Sequence, residues 1–260
     1  MSVRFFPARF FRPAPTLAAL MVIALTCALG NWQLNRAHEK LARAARQQAL
    51  AAATPLLLGP VPLAASADLA DRRVRARGRF DAAHTVLLDN RPHGNGTDSR
   101  AGFLVLTPLR IAAEGGTGQG ASVLVLRGWL PRDAQDRSRI APFPTPAGEV
   151  DIDGMALAAV PKVYNLGSAS EAGQKIRQNL DLAAYGAELG VTLQPLVLEQ
   201  RNDTGDGLAR DWAPADSGAD RHYGYAFQWF GLAALTLVLL LALGWRRSRA
   251  TAPAQASRMN

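Results

Sequence analysis

Two long apolar runs frame this chain. Between Arg12 and Arg36 lie 23 residues without a charge, centred on LAALMVIALTCALG, and between Arg221 and Arg246 lie 24, centred on FGLAALTLVLLLALGW. At about 1.5 Å of rise per residue each run reaches roughly 35 Å as a helix, enough for a hydrocarbon core of about 30 Å. The second run holds ten Leu, Val or Phe residues, which favour insertion by about 3–6 kcal/mol before its polar residues are counted. It predicts a transmembrane helix over residues 222–245, and the first run predicts one over 13–35. The rival for the first run is a cleaved signal peptide. Its apolar core continues to Trp32 and Leu34, however, and no good A-x-A site follows. Ala24-Leu25-Thr26 before Cys27 also fits a lipoprotein signal poorly. The run is read as an uncleaved helix.

Between the runs the pattern changes. AHEKLARAARQQALAAA after Arg36 is rich in helix formers, and predicts a helix running out of the membrane until Pro55, Pro60 and Pro62 stop it. Strands then dominate. Val74, Ala76, Gly78 and Phe80 alternate with Arg73, Arg75, Arg77 and Arg79, the period-two signature of a half-buried strand. Further strands are predicted over 85–89, 103–109, 122–129, 150–157 and 193–199, with short helices near 170–179 and 180–189. Gly, Pro and Asp place loops at 91–101, 113–121, 131–148 and 202–220. The expected fold class is α+β: two transmembrane helices, N- and C-terminal, flanking one mainly antiparallel-β extracytoplasmic domain with short helices, built on a sheet or an open barrel. The expected domains are a tail over 1–12, helix 13–35, the α+β domain 36–221, helix 222–245 and a tail over 246–260.

Composition narrows the function. A single cysteine in 260 residues excludes a disulfide framework and every multi-thiolate metal site. The net charge of +8 invites a nucleic-acid reading. Its distribution argues against one. Arg4, Arg9 and Arg12 at one end, and Arg246, Arg247, Arg249 and Arg258 at the other, stand without a nearby acid and leave only +1 for everything between. No nucleic-acid partner is expected, and membrane lipid is. Arg246, Arg247 and Arg249 close behind the second run put the C-terminus in the cytoplasm by the positive-inside rule. Two spans then put the N-terminus there too, with the main domain periplasmic and the protein in the inner (plasma) membrane.

Several familiar motifs fail. Gly115 to Gly120 lacks the Lys-Ser/Thr ending of a phosphate loop, and Asn202 to Gly207 resembles a calcium loop without its closing Glu. Asn95-Gly96-Thr97 is a glycosylation sequon by pattern only. The absence of CxxCH excludes ordinary covalent haem attachment. There is no nucleophile elbow and no HExxH, so the chain is read as a non-enzyme.

Four histidines remain. His38 reads as a solvated residue, and His84, with Asp81 beside it, and His93 read as solvated or capping residues. The Arg73–Arg79 strand reads either as a holder of anionic ligands or lipid headgroups, or as a solvated face. His222 differs by position, at the outer mouth of the second span. At about 100° per residue, His222, Tyr225 or Ala226, and Trp229 share a helix face. Two readings fit: an imidazole that ligates haem iron above an aromatic surface, with Arg221 near a propionate, or an interfacial aromatic belt with a hydrogen-bonded His.

Ordered motifs add a resemblance. Gly30-Asn31-Trp32-Gln33-Leu34-Asn35-Arg36 is followed by Lys40, and Gly78-x-Phe80 precedes Leu88-Asp89-Asn90-Arg91. Then come Gly102-Phe103, Leu106-Thr107-Pro108-Leu109, Val125-Leu126-Arg127-Gly128-Trp129-Leu130-Pro131, and His222-x-x-Tyr225-Ala226-x-Gln228-Trp229-Phe230. In this order, between two spans, they resemble the Surfeit locus protein 1 family of cytochrome c oxidase assembly factors. The resemblance implies a two-span topology with both termini inside. It also implies binding of haem a, transiently held, and assistance in its delivery to the oxidase catalytic subunit, with haem a synthesis enzymes as further partners. It carries over His222 as the iron ligand and Trp229 as a second contact. Ala219-Asp220-Arg221 departs from the Asn-rich lead-in of the family. A haem-independent scaffold that stabilises an oxidase assembly intermediate is the alternative.

Overall fold

Pro13 opens the first helix, at a position where its missing N–H is no loss. This helix, α1 (Pro13–Ala52), runs unbroken for 40 residues and stops just before Pro55. It continues well past the predicted span at residue 35, through the Ala- and Gln-rich stretch. The computed structural model describes residues 12–64, 69–94, 96–112, 120–133, 135–136, 139–164, 172–212 and 217–250. Two compact units emerge, one from 1–46 with 215–260 and one from 47–214.

Among the described residues, the second unit holds a mixed sheet of eight strands. They are β1 (Leu56–Leu58), β2 (Arg73–Phe80), β3 (Val86–His93), β4 (Arg100–Ile111), β5 (Ser122–Pro131), β6 (Glu149–Leu157), β7 (Ile176–Arg177) and β8 (Leu193–Gln200). β2 pairs β6, β6 pairs β8, β8 pairs β5, β5 pairs β4, and β4 returns to β2. The five strands therefore close a ring, and the remaining three extend it at two sides. Antiparallel pairs predominate, as expected. Three pairs are parallel: β1 with β2, β3 with β7 and β5 with β8.

Alternation in β2 does what its spacing predicts: Val74, Ala76 and Phe80 are buried and each Arg is exposed. Those residues join Leu109, Ile111, Val123, Val125, Ile152, Leu196 and Leu198 in the core inside the ring. On the outside of β5, Leu124, Leu126 and Val197 pack with Leu180 and Tyr185. Consequently β5 is buried on both faces and reads as a near-continuous apolar run, as strands buried on both sides do.

A short helix, α2 (Leu182–Leu189), falls where one was predicted. Asp181 caps it, its carboxylate accepting from the Ala184 N–H at 3.0 Å, and Gly190 ends it. The other helix predicted, near 170–179, does not form in its described part, where residues 172–175 turn and β7 follows. Its β-branched Ile176 pairs with Leu87 instead, so tertiary pairing overrode local propensity. The Gly115–Gly120 stretch (except Gly120) and Asn95 lie outside the described residues.

The final helix, α3 (Ala219–Ala250), contains the predicted span 222–245. Both α1 and α3 are long and apolar enough to cross a membrane, and this is compatible with a two-pass membrane protein.

Candidate functional site

Small residues line the facing sides of α1 and α3. Thr26, Gly30 and Ala37 are buried on α1, and Ala226 and Ala233 on α3. Small side chains let helix backbones approach closely in a bilayer, where apolar burial alone does not drive pairing. Gly30 leaves no room for a side chain. A Cβ there would come within 2.8 Å of the Phe230 ring, so the ring occupies the place a side chain would need.

Toward the start of α3 the contacts become polar. The His222 Nδ1 lies 2.7 Å from the Gln33 side-chain oxygen. The His38 and Tyr223 rings meet edge to face with centroids 6.4 Å apart. A Cβ placed on Gly218 would stand 3.1 Å from the Lys40 ammonium and 3.7 Å from the Arg221 guanidinium, so two cations flank the chain where α3 begins.

A carboxamide oxygen only accepts, so the His222 Nδ1 donates the proton in this pair. A neutral ring then carries its lone pair on Nε2. That is the arrangement of a metal-ligating histidine whose other nitrogen is held by an oxygen. The donor set therefore fits a single-ligand haem site, and Cys27 alone cannot supply the two thioethers of covalent attachment.

The structure brings together some of the residues singled out in the sequence. His222 is half-buried, with Ala226 completing its face against α1 and Trp229 half-buried one turn on. Tyr225 is 52% exposed and lies outside the buried face. Arg221 is exposed as well. Gln33 and Lys40 stood in the motif but were not read as site residues, because their partners lie far away in sequence.

The SURF1 family profile matches residues 20–234, most of the chain. The chain belongs to the SURF1 family. It is 31% identical over 118 residues to Surfeit locus protein 1 of Arabidopsis thaliana, covering 45% of this chain and 33% of that protein. A Surfeit locus protein 1-like protein of the same plant is 33% identical over 67 residues, 26% of this chain and 17% of its own length. Surfeit locus protein 1 of Xenopus tropicalis is 23% identical over 236 residues, 85% of this chain and 72% of that protein. The chain thus spans a third or less of the two plant relatives' lengths.

Inside the domain of this SURF1-family chain, residues of two other motifs, Arg91 and Gly102, meet at Trp129. Its indole N–H donates to the Arg91 carbonyl at 2.9 Å, and its ring stacks on His93 with centroids 4.5 Å apart. Gly102 lies so close beneath the indole that any Cβ would collide with Trp129 and the Leu130 carbonyl. Arg91 in turn donates to the carbonyls of Pro161 and Gln178 at 3.0 and 2.7 Å. Burial, the dominant influence, pushes the Arg91 guanidinium below its ordinary value. Next along β5, Arg127 is fully buried and donates to Asp206 at 2.8 Å. Asp206 belongs to the stretch that hints at a calcium loop. Its carboxylate is instead taken by two guanidinium groups, those of Arg127 and Arg210.

His84 pairs with Asp81 at 3.0 Å, side chain to side chain, and no side chain caps the short turn that carries it. His93 differs from its expected solvated role: it is half-buried on Trp129 and contacts Asp211 at 3.1 Å. The Arg strand also finds partners within the fold. Arg73 and Arg75 pair with Asp153 at 2.8 and 3.2 Å, and Arg77 pairs with Glu149 at 3.1 Å, across the β2–β6 register. Hydrogen bonding from Arg73, the largest influence, holds the Asp153 carboxyl below its usual range. This cross-strand ladder occupies the charge that an anionic ligand would otherwise meet.

Proposed function

We propose that this SURF1-family chain is a cytochrome c oxidase assembly factor of the inner (plasma) membrane. In this reading it binds haem a as cargo and assists its delivery to the oxidase catalytic subunit, receiving it from haem a synthesis enzymes. Both termini face the cytoplasm and the main domain faces the periplasm, as the Arg distribution at the ends of α3 favours. The protein does no bond-making chemistry on the cargo.

The observation that carries this reading is the His222–Gln33 pair, which leaves Nε2 as a ligand atom at the mouth of two membrane-length helices. His222 would hold the iron. Lys40 and Arg221 flank the chain just before it and would neutralise carboxylates at the aqueous edge. Tyr225 and Trp229 offer aromatic surface on α3 at the depth where such rings favour the interface. A lone neutral imidazole, with no thioether to break, suits a carrier that must release what it binds.

A deletion strain tests the assembly role. Oxidase activity is expected to fall while haem a synthesis continues, and the intact gene is expected to restore it. Unchanged oxidase activity would contradict the role. Restoration by a His222→Ala gene as fully as by the intact one would favour the scaffold reading.

A further inference from the structure

We infer that Gln33 is a positioning residue for His222, setting which ring nitrogen faces the metal. The inference rests on the haem-carrier reading for the identity of the metal. The proton arrangement itself belongs to the protein without cargo.

The His222 Nδ1 and the Gln33 side-chain oxygen are in contact at 2.7 Å. Free histidine in its neutral form favours the proton on Nε2, which would place N–H where a metal must bind. With the Gln33 carboxamide oxygen facing Nδ1, as it does here, the preference is reversed, because in that orientation only the Nδ1–H form makes the bond. Gln33 is well placed to act as that fixed acceptor. One turn away on α1, Gly30 receives the Phe230 ring, so the two helices are in contact just where the pair must hold its distance. Ala37 and Ala226 are buried on the same facing sides. The ring's rotation is thereby tied to α1, as the outer hydrogen bond of a ligating histidine commonly ties it. An ordinary interhelical hydrogen bond would hold the helices together equally well with either tautomer. The tautomer therefore separates the two roles.

The test uses full-length detergent-solubilised protein labelled with 15N in its histidine rings, with the His222 signals identified by their loss in His222→Ala. Wild type is expected to show His222 with the proton on Nδ1. Gln33→Leu, which cannot accept, is expected to show it on Nε2, and Gln33→Glu, which can, is expected to restore Nδ1. On co-expression with haem a synthesis enzymes, Gln33→Leu is expected to retain haem a about 10- to 100-fold more weakly, and Gln33→Glu to recover it. An Nε2–H tautomer in wild type, or one tautomer shared by wild type and Gln33→Leu, overturns the positioning role while leaving the carrier reading intact. Haem a retained by His222→Ala overturns His222 as the ligand, and the metal half of the inference with it, whereas haem a absent from wild type as well overturns the carrier reading.

Discussion

Arg127 and Asp206 meet at 2.8 Å with both side chains wholly shielded from solvent. Asp206 also takes two hydrogen bonds from the Arg210 guanidinium, both at 2.6 Å. Arg127 is further held over the rings of Phe80 and Phe143, at 4.8 and 5.6 Å from their centroids. Asp206→Ala would leave buried cations without their shared counter-charge, an effect of about 3–5 kcal/mol when a buried pair loses one member. Chemical denaturation of the purified protein should show that loss. A change within about 0.5 kcal/mol, the ordinary range for surface positions, would mean that the cluster is dispensable.

The same cluster sets an acid limit. Burial works against the Asp206 carboxylate, yet hydrogen bonds from Arg210 and Arg127 hold its carboxyl below the usual range. A depressed carboxyl contributes stability above its unfolded value of about 3.9, and loses it as pH falls through the lower folded value. Melting temperature recorded from pH 5 downward should fall more steeply for wild type than for Asp206→Asn. Parallel curves would show that another group governs acid unfolding.

At the alkaline end Tyr185 acts in the opposite sense. Burial, the leading cause, pushes its phenol up to about 12. Its hydroxyl donates to the His84 carbonyl at 2.5 Å and its ring lies 5.2 Å from the Arg177 guanidinium. The folded state keeps this proton after the unfolded chain begins to release it near pH 10. Stability should therefore decline between about pH 10 and 12, and Tyr185→Phe should remove that decline while lowering stability at neutral pH by about 1 kcal/mol for the lost hydrogen bond. Titration followed by phenolate absorbance checks it.

Gly30 tests the helix pair. Gly30→Leu would force the Phe230 ring out of the place it fills, at a cost of about 1–3 kcal/mol for overpacking. Phe230→Ala combined with Gly30→Leu should recover part of that loss, because the new side chain would enter the vacated space. Thermal unfolding of the helix pair, followed by helical circular dichroism, distinguishes recovery from simple addition of two losses.

These residues also show what was legible in advance. Strand β2 could be read from its alternation, because one face is buried and the other carries arginine. Partner choice could not. The parallel pairing of β5 with β8 joins residues some 70 apart, and a period of two assigns faces without naming neighbours. His222 stood out by its place at the mouth of an apolar run. Gln33 did not, since its partner is 189 residues away. Helical spacing left Tyr225 and Ala226 equally near the face of His222, and packing decided for Ala226, which α1 leaves room for while Tyr225 stays outside. Arg127 within the apolar β5 run gave no sign of its partner, because Asp206 lies in a loop that composition alone marks as a turn.

The central claim is that His222 holds haem a. Full-length protein, co-expressed with haem a synthesis enzymes and purified in detergent, should show the haem a absorption spectrum at close to one cargo per chain, and His222→Ala should show almost none. Haem a retained by the variant, or absent from both proteins under conditions that load a known haem a binder, would contradict the account.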